Sequence, residues 1–244
     1  MPTPTKVALI TGAAKRVGRT IALTLARNGF DIAFTYLSSQ SEADSLVTEL
    51  SSLGRRALSI RADLTHPESA VADIHAAVTS HFGRLDVLIN NASLYLPADL
   101  AATTPALLHK LNAIHVESPL LLCQKFEPLL RAARGHVVNM VDLLAERPWP
   151  QYLPYCASKA ALANLTLGLA RALAPEVTVN GISPGVVEWP HDYPPSEREK
   201  YLKRVPLARA GTPQDVASAI LFFVTSGSYI TGQILRLDGG RSIT

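Results

Sequence analysis

Asp142, Tyr155 and Lys159 are the residues whose types and spacing carry the most chemistry. Tyr155 and Lys159 stand four apart in Tyr155-Cys156-Ala157-Ser158-Lys159. That spacing puts them on one helix face, roughly 6 Å apart at Cβ. An ammonium so near stabilises tyrosinate and is expected to lower a phenol pKa that otherwise lies near ~10. The phenol then becomes a proton donor usable at neutral pH. Asp142, upstream in Val138-Asn139-Met140-Val141-Asp142, offers a third member of a relay. It could pass protons to the tyrosine or bind a donor-rich substrate directly. The plain alternatives are a solvated helix face for Tyr155 and Lys159, and a cap at a strand end for Asp142.

These residues need a scaffold, and the upstream sequence supplies one. Lys6-Val7-Ala8-Leu9-Ile10 is a short apolar run that reads as a buried parallel strand. It leads into Thr11-Gly12-Ala13-Ala14-Lys15-Arg16-Val17-Gly18, after which Val17, Ile21 and Leu25 recur at helical spacing. A glycine turn between strand and helix is the setting of a dinucleotide site. Gly12 permits the tight turn, Gly18 lets helix and strand pack closely, and the helix N-terminus faces the pyrophosphate.

The next strand, Asp31 to Tyr36, ends in Tyr36-Leu37-Ser38-Ser39, with no carboxylate for a ribose 2′-hydroxyl. Ser38 and Ser39 can donate to a 2′-phosphate, and Lys15 and Arg16 add positive charge. The cofactor expected is therefore NADP(H). The alternative for the serines is a loop opening, with Ser41 capping the next helix.

The βα alternation continues. Strands are expected at Ala57–Arg61, Val87–Asn90, 136–141 and 177–181. Helices are expected over Pro67–Phe82, about 105–126 and about 155–173. The whole chain, 1–244, reads as one α/β domain of the Rossmann type: a doubly wound parallel sheet with helices on both faces. The proline-dense run Trp189-Pro190-His191-Asp192-Tyr193-Pro194-Pro195 cannot be regular structure. Residues 188–206 read as a substrate lid with a short helix from Ser196. The alternative is a rigid surface excursion.

Bulk properties exclude several classes. The net charge of +3 comes with no basic run, so nucleic acid is not suggested. No apolar span of export or membrane length precedes the first strand, and the cytoplasm is the default location. Cys123 and Cys156 fit a reducing compartment without disulfides, and Cys156 reads as a small buried residue. The seven histidines are scattered without ligand spacing, so no metal is expected.

Seven ordered motifs resemble the short-chain dehydrogenase/reductase family. They are Thr11-Gly12 to Gly18, Asp63-Leu64, Asn90-Asn91-Ala92, Asn112, Tyr155 with Lys159, Asn180 to Gly185, and Gly232-Gln233 with Asp238-Gly239-Gly240. Three positions depart from the common pattern, with Arg16 and Ser93 where most members have Gly, and Asp142 where most have Ser. Together they resemble the pteridine reductase branch, as do Val205-Pro206-Leu207 and Tyr229-Ile230-Thr231-Gly232.

The resemblance implies roles. Arg16, with Val17, would reach over the pyrophosphate and toward substrate. Asp63 and Leu64 would hold adenine. Asn90, Ala92 and Ser93 would line the ribose and nicotinamide. Lys159 would bind the nicotinamide ribose, and Pro184, Gly185 and Val187 its carboxamide edge. Tyr95 would stack on a pterin opposite the nicotinamide, with Trp189 covering it. Asn112 would complete the catalytic set of Asp142, Tyr155 and Lys159. The branch's basic pair near the 2′-phosphate is missing, since Leu37 and Ser38 stand there, which leaves Ser39 as the implied contact.

A pterin needs hydride at a ring carbon and a proton at the adjacent nitrogen. An ionised carboxylate at position 142 would repel the oxyanion that develops when a ketone is reduced. The reading is thus an NADPH-dependent reductase of dihydropterin, dihydrofolate or oxidised pterin, and the resemblance implies a homotetramer. The first alternative is a carbonyl reductase of the wider family. The second is a non-catalytic NADP-binding regulator, whose mark would be a broken Tyr-Lys-Asn set.

Overall fold

The computed structural model describes residues 4–189 and 193–244. Strand β1 (Val7–Ile10) feeds helix α1 (Arg16–Arg27). Next come β2 (Asp31–Tyr36), α2 (Gln40–Ser52), β3 (Ala57–Arg61), α3 (Pro67–Phe82) and β4 (Val87–Asn90). The second half holds α4 (Pro105–Asn112), α5 (Ser118–Ala133), β5 (His136–Met140), α6 (Leu153–Leu173) and β6 (Thr178–Pro184). It closes with α7 (Pro195–Leu202), α8 (Pro213–Thr225) and β7 (Ile234–Leu237).

All seven strands join one parallel sheet in the order β3-β2-β1-β4-β5-β6-β7. This is the doubly wound arrangement the sequence predicts. The inner strands are apolar on both faces because both are covered. Ile10, Ile32 and Phe34 meet Ile21 and Leu25 of α1, Leu46 and Leu50 of α2, and Ile220 and Phe223 of α8. Leu9 and Leu88 face Ile74 and Val78 of α3, Leu122 and Phe126 of α5, and Leu169 and Leu173 of α6. The chain winds outward in both directions from β1 and β4. That switch point opens a crevice at the carboxyl ends of the strands.

One expected element breaks in two. The helix predicted over about 105–126 is α4 and α5, joined by a π turn at Ala113–Glu117. The reason is Pro119, which has no N–H to give to the carbonyl of His115. Ser118 N–H bonds Ala113 instead, and the extra residue rotates α5 relative to α4. Smaller differences are an α6 that starts at Leu153 and a β6 that runs on to Pro184. The region expected to be a lid holds α7 from Pro195, close to the predicted start at Ser196. Pro190, His191 and Asp192 of its irregular run lie outside the described residues. Among the described residues, no helix is long and apolar enough to cross a membrane.

Candidate active site

A cavity of about 610 Å³ occupies the crevice, running from Gly12 and Arg16 to Tyr155, Trp189 and Arg241. Its near end is the turn between β1 and α1. Gly12 has φ +67°, a region open mainly to glycine, and donates its N–H to Thr35 Oγ1 at 3.0 Å. A Cβ on Gly18 would stand 2.5 Å from the Gly12 carbonyl oxygen, so helix and turn touch there only because residue 18 is glycine. Thr11 Oγ1 accepts N–H groups from Asn91 and Ala92, both at 2.9 Å, which ties the end of β4 to the turn. The start of α1 has no side-chain cap and no acidic residue in its first turn. Its free N–H groups suit a phosphate.

Arg16 has φ +55°, unusual for any residue but glycine. The strain is on the order of 1 kcal/mol, and it explains why glycine is common at this place in the motif. The Arg16 side chain reaches across the cavity mouth to Glu188, at 2.9 Å.

Where β2 ends, Tyr36 and Leu37 line the cavity, whereas Ser38 is exposed and Ser39 is the N-cap of α2, which puts Ser41, the expected cap, inside the helix. Neither serine forms part of the cavity wall. Lys15 lines it but is paired with Glu42 at 2.6 Å. Arg61 is the positive group that sequence reasoning missed. The register sets it beside Tyr36, and its Nε donates to the Leu37 carbonyl at 3.2 Å. A β3-β2-β1 order would have signalled it. Asp63 and Leu64 line the cavity as expected, although Asp63 Oδ1 already accepts from the Thr65 hydroxyl at 2.7 Å and its N–H at 3.0 Å.

Two expected residues stand elsewhere. Asn90 is buried beneath the site, donating to Asn139 Oδ1 at 2.7 Å, and its neighbour Asn91 faces the cavity instead. A strand alternates its faces, so one step decides which amide is presented. Asn112 is exposed at the end of α4 and takes no part in the cavity. The π turn brings His115 inward in its place.

His115 is 1% exposed and sits between two serines. Its Nδ1 is 2.8 Å from Ser158 Oγ, and its Nε2 is 2.8 Å from Ser93 Oγ. The donor directions follow by elimination. Ser158 gives its proton to the Tyr155 carbonyl at 2.8 Å, so it accepts from His115 Nδ1–H. Nε2 is then an acceptor, which also suits the Leu94 N–H at 3.3 Å. The ring is neutral, because burial pushes its pKa down to about 2. Ser93 must therefore donate to His115, and it presents only lone pairs to a ligand. Replacing His115 with Leu is expected to free that hydroxyl and lower kcat/KM by about tenfold. Ser93→Ala added to His115→Leu should cost little more, since both act through one acceptor. Fully additive losses in the double variant would break the assignment.

At the centre, Tyr155 is 4% exposed and donates its phenol to Asp142 Oδ2 at 2.7 Å. Asp142 Oδ1 accepts the Leu144 N–H at 2.8 Å, so the carboxyl also caps the short turn at Leu143–Ala145. The cap and the relay are both present. Lys159 is buried, and its Nζ donates to the Met140 carbonyl at 2.7 Å and lies 5.8 Å from the Tyr155 ring centre.

The expected depression of the phenol pKa is reversed. Burial, then the Asp142 charge, hold Tyr155 well above the ordinary tyrosine range. Burial also raises Asp142, against the pull of Leu144 N–H, Tyr155 and Lys159. Lys159 is lowered to about 8 by burial, opposed by Asp142. The carboxyl thus takes up a proton more readily than a free aspartate, and the phenol that donates to it stays neutral.

Tyr95 packs face to face on Tyr152, centroids 4.4 Å apart, and edge-on against Tyr155 at 4.9 Å. Ser93 and Tyr95 are both partly open to the cavity. Trp189 stacks on Tyr193 at 5.1 Å and meets the edge of Tyr201 at 5.5 Å. Pro184, Gly185 and Val187 also line the cavity.

Comparison with known proteins gives consistent matches. A family model described as enoyl-(acyl carrier protein) reductase matches residues 12–242. A putative ketoacyl reductase of granaticin polyketide synthesis from Streptomyces violaceoruber is 35% identical, over 96% of this chain and 95% of its own. A 3-oxoacyl-(acyl-carrier-protein) reductase of Staphylococcus aureus is 34% identical, over 97% of this chain and 98% of its own. The crystal structure of a blue fluorescent protein from a metagenomic library, in complex with NADPH, superposes with a TM-score of 0.90 at 34% identity, covering 98% of each chain.

Proposed function

The chain belongs to the short-chain dehydrogenase/reductase family, and from that premise we propose an NADPH-dependent reductase of C=N bonds in flat, donor-rich heterocycles of the pterin type. The 2.7 Å contact between Tyr155 and the half-buried Asp142 carries the reading. Burial favours the protonated form of Asp142, and that form, beside the Tyr155 phenol, would give a proton to a ring nitrogen. The electron-poor ring would lie against Tyr95. Ser93, held as an acceptor by His115, would take an N–H or amino proton of the ligand.

NADPH, when bound, supplies the hydride. The N-terminus of α1 would hold its pyrophosphate, Asp63 and Leu64 its adenine, and Lys159 its nicotinamide ribose. Lys15 on the cavity wall and Arg61, bonded to the Leu37 carbonyl, would be the positive groups for a 2′-phosphate, and Ser39 is the contact that the resemblance implies. Ser39→Asp is expected to weaken NADPH far more than NADH, because like charges would meet there. Equal kcat/KM for the two cofactors in the wild type would remove the basis of that preference. Residues 188–206 would serve as the lid, and Trp189 would cover the substrate. A cytoplasmic homotetramer is part of the same reading, and light scattering tests the assembly.

The second reading is carbonyl reduction, and the named relatives support it better than they support pterin reduction. NADPH oxidation across biopterin, dihydrobiopterin, dihydromonapterin, dihydrofolate and a ketone panel decides between them. Turnover of pterins is the expected result. Turnover of ketones alone would install the second reading.

A further inference from the structure

The far wall of the cavity carries positive charge that a neutral ring does not use. Arg241 stands in the last short turn, Arg241–Ile243, with only 6% of its surface exposed. Its Nε is buried and has no hydrogen-bond partner among the described residues. The guanidinium carbon lies 5.7 Å from the Tyr201 ring centre, and Arg241 and Arg147 both line the cavity. Arg147 is tied to the same turn, donating to the Ser242 carbonyl.

Among the described residues, three acids near this wall are already engaged. Asp238 accepts the Gly240 N–H at 2.9 Å and the Ser242 N–H at 2.7 Å, one on each oxygen. Glu146 is held by Arg236 at 2.6 Å, and Glu188 by Arg16 at 2.9 Å. Burial, with help from the charges of Arg204 and Arg147, pulls the Arg241 pKa down from the usual arginine range. A buried guanidinium with unmet donors is destabilising, and its planar fork matches a carboxylate or a phosphate.

From this geometry we infer that Arg241 and Arg147 form an anion subsite, and that the substrate carries a carboxylate or phosphate on its side chain, remote from the reacting ring. The inference rests on the cavity being the substrate site and adds the charge of the substrate's tail to that reading.

Calorimetry on the NADPH-loaded enzyme tests the subsite without turnover, with glutarate and inorganic phosphate as probes. At least one anion is expected to bind, and Arg241→Gln to weaken it by about tenfold or more. Arg147→Gln should act in the same direction and serves if the first variant folds poorly. Binding of glutarate alone assigns a carboxylate tail, and binding of phosphate alone assigns a phosphate. In turnover, wild type should favour dihydrofolate, whose tail bears carboxylates, over the neutral-tailed dihydrobiopterin. That KM ratio should move toward one in Arg241→Gln. If neither anion binds, or if both folded variants bind as wild type does, the subsite is overturned whatever happens to pterins. Arginine-dependent anion binding without any pterin turnover would keep the subsite and sink the pterin reading instead.

Discussion

Tyr155→Phe is expected to lower turnover by about 10²- to 10⁴-fold while leaving NADPH binding nearly intact. The phenol oxygen is the only atom removed. It donates to Asp142 at 2.7 Å, and the ring keeps its edge contacts with Tyr95 and His115. The fold should tolerate the change, although Asp142 loses a donor and its carboxyl is left with Leu144 N–H alone. Lys159→Ala should behave differently. Its ammonium is buried and anchored on the Met140 carbonyl, so its loss disturbs the floor of the site as well as the ribose contact assigned to it. Both NADPH affinity and turnover should fall. Fluorescence titration of NADPH and steady-state rates separate the two variants. If Tyr155→Phe keeps substantial activity on every substrate, proton donation belongs to another group.

The parts of this site that local rules govern were legible in the sequence. Gly12 and Gly18 follow from the tight turn and the close helix approach, and both appear as predicted. The strand runs at Asp31–Tyr36 and Ala57–Arg61 follow from unbroken apolar or β-branched stretches. Asp142, Tyr155 and Lys159 were legible because an i,i+4 pair on a helix lies opposite the end of a neighbouring strand. What failed depended on phase or on tertiary surroundings. Asn112 was a reasonable choice on an unbroken helix, but Pro119 forces a π turn and hands the position to His115. Asn90 and Asn91 differ by one strand step, which sequence alone does not resolve. The i,i+4 spacing does not show the phenol's burial, which outweighs a lysine that turns its ammonium to a backbone carbonyl.

Asp142→Ser should move two substrate classes in opposite directions. Turnover of a C=N substrate is expected to fall by about 10²-fold or more if a general acid is lost. Turnover of a small activated ketone should hold or rise, because serine offers a neutral hydroxyl at every pH, whereas the ionised fraction of Asp142 repels a developing oxyanion. Serine can keep a polar contact at this strand end, so the turn at Leu143–Ala145 need not collapse. The pH dependence adds a second signature. Asp142 is raised by burial, and only its protonated form can donate. Wild-type turnover of a C=N substrate should therefore decline as pH rises through that raised pKa. It should decline again as Lys159 loses its charge near pH 8. Asp142→Ser should lose the first decline and move the second to lower pH, because the Asp142 charge that supports the Lys159 ammonium has gone. A damaged fold would instead lower both activities and the melting temperature together. Parallel loss of both activities at an unchanged melting temperature would leave Asp142 as a cap for Leu144, and the choice of C=N over C=O would then fall to Arg16, Ser93 and Tyr95.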